Sequence, residues 1–374
     1  MPLGRIMLPL AYLDWNATAP LRPEVEAAMV EALRRTGNPS SVHRWGRAAR
    51  QAIERAREQV AALVGAAPAE VVFTSGGTEA NHLALLCLPG RRILISAIEH
   101  DSVREAAPEA TVVPVTPAGV VDIAALEALL ARDTQPALVS IMLANNETGA
   151  IQPVAEAAAL ARRYGAIIHC DAIQAAGRIP VEMRALGVDL LSISAHKLGG
   201  PQGVGALIVR DGLHPMPLQR GGGQERGRRA GTENGPGIVG FGVAAELAMW
   251  ETAAHGTELR DVAEAALVAV APDARVYARD VPRLPNTLSI GMPGVPASTQ
   301  VMALDLAGVM VSAGAACSSG KVKRSHVLSA MGASPEEAEC AIRVSLGWST
   351  TRAEIDRLVN AWSALYRRTR SAAA

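Results

Sequence analysis

The stretch LLSISAHKLGGPQG, residues 190–203, joins an apolar, strand-like run to a histidine, a lysine and a glycine-rich turn. Lys197 is the first lysine of the chain, and only Lys321 and Lys323 follow it, against 33 arginines. A primary amine can form a Schiff base with an aldehyde, whereas a guanidinium cannot. Lys197 is therefore a candidate for covalent chemistry, with an ordinary surface lysine as the alternative interpretation.

Apolar runs alternate with alanine-rich helical patterns on both sides of this stretch, from about residue 50 to residue 255. Short, nearly continuous apolar runs separated by helices predict a buried, mostly parallel sheet. Such sheets bind ligands beyond the carboxyl ends of their strands, which is where the polar residues of interest lie. The runs are EVVFTSG, RRILIS, ALVSIML, AIIHCDA, VDLLSIS and GVGALIVR.

The pattern changes at about residue 274, where short strands such as NTLSIG and AIRVSLG alternate with helices. The last helix is predicted to start at a capping box formed by Thr351 and Glu354. The sequence thus predicts an α/β chain with a large domain and a smaller α+β domain. The predicted domains are 13–255 and 256–374, the second completed by the N-terminal segment 1–12.

Composition limits the partners of the chain. The 36 basic residues are balanced by 36 acidic ones, which argues against nucleic acid or an acidic membrane surface as the main partner. The apolar run between Arg5 and Asp14 is short for an export signal and far too short to span a bilayer.

The four cysteines form no disulfide framework and no CxxC pair, and no HExxH motif suggests zinc, so no metal site is expected. A reducing cytoplasm is the simplest location for such a chain. The cysteines are Cys87, Cys170, Cys317 and Cys340.

One glycine motif is set aside. GPGIVG, residues 235–240, matches the GxGxxG pattern of dinucleotide-binding turns. That interpretation needs a strand directly before the motif, and the preceding residues GRRAGTEN are polar and loop-like. No nucleotide site is expected there.

Two other strand ends carry polar residues. In VVFTSGGTEAN, residues 71–81, a strand passes into a helix through Gly77 and Thr78, which is the pattern of a phosphate cradle or of a plain capped turn. In AIIHCDAIQAAG, Asp171 follows a buried strand, where it could cap the next turn or face a bound heterocyclic cation. Together with Lys197, these features are the set that pyridoxal phosphate requires.

The chain resembles the cysteine desulfurases of the NifS/IscS type, in the class V aminotransferase group, nearly from end to end. The resemblance implies a fold-type I pyridoxal-phosphate-dependent transferase. The matching stretches, in the order of the family, are YLDWNATAP, GNPSSVHRWGR, FTSGGTEANHLA, IEHDSV, NNETGAIQPV, HCDAIQAAG, SAHKLGGPQGVGAL, GGGQERGRRAGTEN, SAGAACSSG and IRVSLGWSTTRAEID.

The resemblance assigns a role to each matching residue. It implies that Lys197 is the Schiff-base lysine, that Asp171 pairs with the pyridinium and that His100 stacks on the ring and assists proton transfer. Gln174 and Asn146 would bind around the phenolic oxygen of the ring and the substrate. The phosphate would be held by Gly77, Thr78, Ser194 and His196 and, from a partner subunit, by Thr232.

The same resemblance implies that Arg343 binds the substrate carboxylate, Cys317 accepts the sulfur, and the enzyme is an obligate homodimer. The implied reaction converts L-cysteine to L-alanine and leaves the sulfur on the enzyme as a persulfide. A sulfur-acceptor protein would then receive it, for iron–sulfur cluster assembly or another pathway. The alternatives are a selenocysteine lyase or another class V transaminase, and a binding protein built on an inactive fold of this type.

The neighbours of Cys317 also favour this role, with an incidental cysteine in a flexible loop as the alternative interpretation. Cys170 lies at the end of a buried strand with its side chain directed away from the face of Asp171, and Cys87 and Cys340 lie in apolar runs. Cys317 lies among glycine and serine, a composition that favours an exposed loop. Positive charge lowers the pKa of a thiol, and four basic residues follow closely: Lys321, Lys323, Arg324 and His326.

Overall fold

The computed structural model describes residues 10–251, 253–314 and 324–373. These residues form two compact units. The larger unit contains residues 18–146 and 150–251. The smaller unit contains residues 10–17, 147–149, 253–314 and 324–373. The domain limits of 13–255 and 256–374 stay a prediction from sequence patterning.

The elements are numbered along the described part of the chain. The strands are β1 Ala11–Tyr12, β2 Val71–Thr74, β3 Arg92–Ser96, β4 Thr111–Val113, β5 Ala137–Ser140, β6 Ile167–Asp171, β7 Leu190–Ser194, β8 Gly205–Val209, β9 Arg275–Val276, β10 Thr287–Gly291, β11 Val309–Met310, β12 Ser312–Ala313 and β13 Ala341–Ser345. The helices are α1 Pro23–Leu33, α2 Arg44–Leu63, α3 Gly77–Leu86, α4 Asp101–Arg104, α5 Ile123–Ala131, α6 Val154–Arg163, α7 Met183–Leu186, α8 Gly235–Ala248, α9 Ala253–Val270, α10 Ala297–Leu306, α11 His326–Ala330, α12 Pro335–Glu339 and α13 Arg352–Ala373.

The larger unit is built on a seven-stranded sheet with the order β2-β8-β7-β6-β5-β3-β4. Neighbouring strands are parallel except where β8 pairs with β7 and β2, so the predicted, mostly parallel central sheet is confirmed. The six apolar runs became β2, β3, β5, β6, β7 and β8. The pattern did not predict β4, because this edge strand exposes Thr111 and Val112 and therefore lacks a continuous apolar run.

The register of the sheet explains why its polar residues meet. Asp171 at the end of β6 pairs with Ser192 of β7, so the carboxyl ends of these parallel strands lie side by side. Gly205 of β8 pairs with Ser194 of β7 on one side and with Thr74 of β2 on the other. The end of β2 and the end of β7 therefore lie on either side of the start of β8.

The glycines of the GPGIVG stretch and just beyond it serve helix packing. A Cβ at Gly240 would lie 2.8 Å from the Sδ of Met29, and one at Gly242 would lie 2.7 Å from the Cα of Ala56. These glycines let α8 approach α1 and α2 closely. No strand lies in residues 228–234 before α8, in agreement with the loop-like pattern of the sequence.

The smaller unit contains an antiparallel sheet, β12-β13-β10-β9, and the parallel pair of β1 and β11. Its core includes Leu288 and Ile342 from the sheet and Trp362 from α13. The predicted capping box is present. The backbone N–H of Thr351 donates to the Glu354 carboxylate at 2.7 Å, and the backbone N–H of Glu354 donates to the Thr351 hydroxyl at 3.4 Å. A unit of strands and helices agrees with the α+β prediction.

Among the described residues, no helix combines the length and the apolar composition that crossing a membrane requires.

Candidate active site

The turn between β2 and α3 has the geometry of an anion cradle. Gly76 adopts φ 155° and ψ −179°, a conformation that favours glycine, and a Cβ there would meet open space. A Cβ at Gly77 would lie 2.3 Å from the Cδ1 of Ile173, so this position needs glycine for close packing. Thr78, the next residue, is exposed. The first backbone N–H groups of α3 therefore start at an open surface where an anion can approach.

The buried hydroxyl of Ser194 indicates whether this cradle fits a phosphate. Its hydroxyl is buried, with 2% of the residue exposed, and makes no hydrogen bond to any described residue. A Cβ at Gly77 would lie 3.5 Å from the Cβ of Ser194, so the hydroxyl borders the start of α3. A buried hydroxyl without a partner costs free energy, and a phosphate oxygen would satisfy it. The site therefore fits the phosphate of pyridoxal phosphate.

Asp171 is a buried carboxylate held in a fixed orientation. Only 5% of the residue is exposed, and its two oxygens accept hydrogen bonds from the backbone of Ile173 at 2.9 Å and from Asn81 Nδ2 at 2.8 Å. Burial raises its pKa, against the opposing effect of these hydrogen bonds and of His100 and Lys197. A cationic partner would lower that pKa again, so the carboxylate fits a protonated ring nitrogen.

A hydrogen-bonded chain joins Asp171 to His100. Asn81 Nδ2 also donates to Ser102 Oγ at 2.8 Å, and this hydroxyl lies 2.9 Å from His100 Nδ1. The backbone N–H of Ser102 donates to the same Nδ1 at 3.1 Å. Because a backbone N–H can only donate, Nδ1 accepts, and the proton of the neutral ring is on Nε2. Asn81 and Ser102 were not predicted as site residues.

A second buried carboxyl interacts electrostatically with Asp171. Glu99 is fully buried, and its Oε1 accepts hydrogen bonds from Ser96 Oγ at 2.5 Å and from the backbone of Met142 at 2.8 Å. The pKa of Glu99 is raised to about 8, because burial, together with the charge of Asp171, outweighs the hydrogen bonds from Ser96 and Met142 that lower it. Near neutral pH this carboxyl is mostly protonated, which limits the negative charge around Asp171.

Lys197 lies at the end of a short 3₁₀ helix, Ala195–Lys197, which follows β7 directly. The side chain is half-buried, and its charge lowers the pKa of both Asp171 and His196. Burial is the larger cause for His196, whose pKa falls to about 4, so this ring is neutral at physiological pH. His196 Nδ1 lies 3.2 Å from Thr18 Oγ1, which fixes the ring.

Gln174 is buried, and its amide oxygen accepts a short hydrogen bond from Arg178. A guanidinium only donates, so the amide oxygen faces Arg178 and the NH₂ group points to the other side. Gln174 can therefore act as a donor, as an interaction with a phenolic oxygen requires. Asn146 is half-buried in the same unit, directly before the segment 147–149.

Thr232 is exposed on the glycine- and arginine-rich loop that precedes α8. It lines a groove of about 560 Å³ together with residues of α1, α2 and α8. This position is open to a second molecule. The groove and the loop belong to the larger unit, as do the other predicted cofactor residues: Gly77, Thr78, His100, Asn146, Asp171, Gln174, Ser194, His196 and Lys197.

One described residue with a predicted role belongs to the smaller unit. Arg343 lies on β13, only 4% exposed, with its Nη2 donating to Asp14 Oδ1 at 2.7 Å. Cys317 lies outside the described residues, as do Lys321 and Lys323.

The other three cysteines are free and buried. Burial raises the pKa of Cys87 to about 12. It raises the pKa of Cys170 well above the ordinary value, with Asp171 and Glu99 adding to the effect. These two thiols are therefore protonated and unreactive at neutral pH.

Known proteins resemble this chain over most of its length. The family model "Aminotransferase class-V" matches residues 11–358. A protein of Cereibacter sphaeroides named "Cysteine desulfurase" is 47% identical over 93% of this chain and 93% of its own length. A protein of Dictyoglomus turgidum named "Cysteine desulfurase IscS" is 44% identical over 92% of this chain and 91% of its own length.

The solved structures show the same likeness. The NifS-like protein from Rickettsia africae matches with a TM-score of 0.90 and 37% identity, over 96% of this chain and 100% of that chain.

Proposed function

The chain belongs to the class-V aminotransferase family and, within it, to the pyridoxal-phosphate-dependent cysteine desulfurases, and we propose that it converts L-cysteine to L-alanine through Lys197 and Cys317. The sulfur of the substrate would remain on Cys317 as a persulfide. The observation that carries this proposal is the meeting of three groups at one end of the sheet of the larger unit. These are the Lys197 amine, the buried Asp171 carboxylate and the cradle bordered by the unpartnered Ser194 hydroxyl.

When bound, pyridoxal phosphate supplies an electron-accepting ring that makes the Cα proton of an attached amino acid acidic. Asp171 is held by the backbone of Ile173 and by Asn81 so that its charge can keep the ring nitrogen protonated. The Lys197 amine would hold the cofactor, and the same amine is placed to act as the base that takes the Cα proton of the substrate. His100 presents its protonated Nε2 because Ser102 occupies Nδ1, and it assists the same proton transfer.

In the sulfur-transfer step the Arg343 guanidinium binds the substrate carboxylate, a bidentate task that suits its fork geometry. The Cys317 thiolate then attacks the sulfur of the substrate. A sulfur–sulfur bond forms and the carbon–sulfur bond breaks. The electron pair of the broken bond goes to the carbon that becomes the methyl group of alanine, and two protons complete the product. One cysteine and one thiol thus give one alanine and one persulfide.

The test is direct. Purified protein loaded with pyridoxal phosphate is mixed with L-cysteine, and alanine and protein persulfide are measured in a single turnover. We expect one alanine per persulfide and no product from Lys197→Ala. Neither Lys321 nor Lys323 follows a predicted strand at a phosphate cradle, so neither should replace the lost amine. Alanine without persulfide would support a selenocysteine lyase or another activity of the group, and L-selenocysteine is the comparison substrate.

A homodimer with shared sites is part of the proposal. Thr232 is exposed beside the groove, and α1, α2 and the turn between them expose apolar side chains, including Leu33 at 68%, Val42 at 86% and Trp45 at 61%. A surface of this kind favours a protein partner. We expect Thr232 to bind the phosphate held by the second subunit.

Mixed dimers test the shared site. Combining a Thr232→Ala chain with a Lys197→Ala chain gives one undamaged site and one doubly damaged site in each heterodimer. The mixture should therefore exceed the activity of both parent variants. Activity no higher than that of the parents would contradict sharing.

A sulfur-acceptor protein completes the proposed reaction, and the relative from Dictyoglomus turgidum named IscS supports iron–sulfur cluster assembly as the destination. The proposed location is the cytoplasm, because Cys87, Cys170 and Cys340 are free thiols. Trapping the persulfide and identifying the protein that removes it would test the acceptor.

A further inference from the structure

A carboxylate occupies the start of the helix that would receive the phosphate. Glu79 lies in the first turn of α3, two residues after Gly77, and its Oε2 accepts a hydrogen bond from the backbone N–H of Ser75 at 2.7 Å. Burial by itself would raise the pKa of Glu79, but hydrogen bonds from Arg229 and Ser75 outweigh it and hold the pKa below the usual range. The side chain is therefore ionised at neutral pH.

This negative charge would repel a phosphate bound at the start of α3. A carboxylate stabilises a helix start on its own, but beside a bound phosphate it is a like charge in a partly buried place. Arg229 neutralises this charge by forming an ion pair with Glu79. Its Nε donates to Glu79 Oε1 at 2.8 Å and its Nη2 to Glu79 Oε2 at 3.3 Å, and both side chains are half-buried.

We propose that Arg229 is a positioning residue of the cofactor site, which neutralises Glu79 so that the start of α3 accepts a phosphate dianion. The inference rests on the proposed function, since it takes pyridoxal phosphate as the ligand of this cradle. The buried, unpartnered hydroxyl of Ser194 supports a phosphate at this place independently of the Glu79–Arg229 pair.

The same pair ties the cradle to the loop that carries Thr232. Arg229 is three residues before Thr232 in the chain, and its partner Glu79 is one residue after Thr78. A second anchor holds the loop upstream, where Glu225 forms a bidentate pair with Arg57 at 2.7 and 2.9 Å. Arg229 therefore joins the segment proposed to serve the phosphate of the partner to the helix that serves the phosphate of its own subunit.

The experiment measures binding, not turnover. Full-length protein freed of cofactor is titrated with pyridoxal phosphate and, separately, with pyridoxal, which lacks the phosphate. Arg229→Gln leaves Glu79 charged and unneutralised, so the dissociation constant for pyridoxal phosphate should rise about tenfold or more, while that for pyridoxal should change less than about twofold. Arg229→Lys keeps the charge and should stay close to the wild type.

Charge neutralisation also predicts how a double variant should bind pyridoxal phosphate. The double variant Glu79→Gln with Arg229→Gln carries no charge at either position and should regain most of the affinity that Arg229→Gln loses. Arg228→Gln is the matched control, because it removes the same charge from the neighbouring position without touching Glu79, and it should bind like the wild type. Circular dichroism and thermal unfolding of each variant verify folding.

Three outcomes would overturn the inference. They are equal loss of pyridoxal and pyridoxal phosphate binding, an unchanged affinity in Arg229→Gln, and a double variant no better than the single one. Each can occur while the wild type binds the cofactor and makes alanine, so the inference can fail alone. A wild type that does not bind pyridoxal phosphate overturns both the proposed function and the inference.

Discussion

Arg343 and Asp14 form an ion pair of 2.7 Å inside the smaller unit, with 5% of the arginine side chain and 22% of the aspartate side chain exposed. Arg343 lies in the middle of β13, and Asp14 bridges to Ser345 at the end of the same strand. The guanidinium expected to bind the substrate carboxylate is therefore held in place by a carboxylate of its own unit before any substrate arrives.

Replacing this arginine should affect substrate binding more than chemistry. We expect Arg343→Lys to raise the KM for L-cysteine about tenfold or more, because an ammonium group cannot make two parallel hydrogen bonds to a carboxylate. The visible absorption band of the bound cofactor should be unchanged, since the residues proposed to bind the cofactor lie in the larger unit. Steady-state kinetics and the absorption spectrum provide the measurements, and an unchanged KM would contradict the role.

Asn81 should support proton transfer because it orients both Asp171 and Ser102. It donates one hydrogen bond to Asp171 and one to Ser102, at 2.8 Å each. Asn81→Ala removes both, so we expect the exchange of the substrate Cα hydrogen with deuterated water to slow about tenfold, the effect of a lost hydrogen bond to a charged group. Proton NMR measures this exchange.

Ser102→Ala is the control for this prediction. It disturbs His100 but leaves the hydrogen bond from Asn81 to Asp171 intact, so its exchange rate should lie between that of the wild type and that of Asn81→Ala. If Asn81→Ala exchanged at the wild-type rate, the orientation of Asp171 would not depend on this amide.

The sequence predicted the residues that follow continuous apolar runs. Lys197 and Asp171 were found because strand ends meet at one edge of a parallel sheet, and the register of the strands agrees. Asn81 was not found because helical periodicity treats it as one polar residue among several, although it is fully buried. Its partner Asp171 is 90 residues away in the chain, and local patterns contain no information on such pairs.

Arg57 and Glu225 illustrate the same limit in the scaffold. An arginine in the amphipathic helix α2 is expected at the surface, yet Arg57 is buried and paired with a glutamate 168 residues away. Glu225 and the next residue, Arg226, also adopt left-handed φ angles of 46° and 57°, which non-glycine residues rarely do. Only tertiary contacts make this backbone favourable, so no turn rule could predict it.

Breaking this buried pair should destabilise the protein strongly. Glu225→Ala leaves the Arg57 charge buried without its main partner and also removes an acceptor from the backbone of Phe73. We expect a loss of about 3–5 kcal/mol, seen as a lower thermal midpoint. Adding Arg57→Met should recover part of this loss. A Glu225→Ala midpoint within error of the wild type would show that the loop does not need this anchor.

The buried thiols of Cys87 and Cys170 should not react with alkylating reagents in the folded protein. Burial raises the pKa of Cys87 to about 12 and that of Cys170 well above its ordinary value. The reactive thiolate fraction falls about tenfold for each unit by which the pH lies below the pKa, so it is minute at pH 7.5. We expect iodoacetamide to modify neither residue at this pH until urea unfolds the chain, as peptide mass spectrometry would show. Rapid labelling of Cys87 in the folded protein would be inconsistent with its burial.

The identity of the sulfur-accepting cysteine is the sharpest test of the proposed reaction. Cys87, Cys170 and Cys340 are buried, so none of them is suited to receive sulfur and pass it to an acceptor. Cys317 is the remaining cysteine, and its neighbours in the sequence are small or basic. We expect Cys317→Ser to exchange the substrate Cα hydrogen normally, because that step needs Lys197, but to form no protein persulfide and to lower alanine production about a hundredfold or more. Mass spectrometry of the wild type after L-cysteine treatment should place the added sulfur on the peptide that contains Cys317. Sulfur on any other cysteine, or normal alanine production by Cys317→Ser, would refute the mechanism.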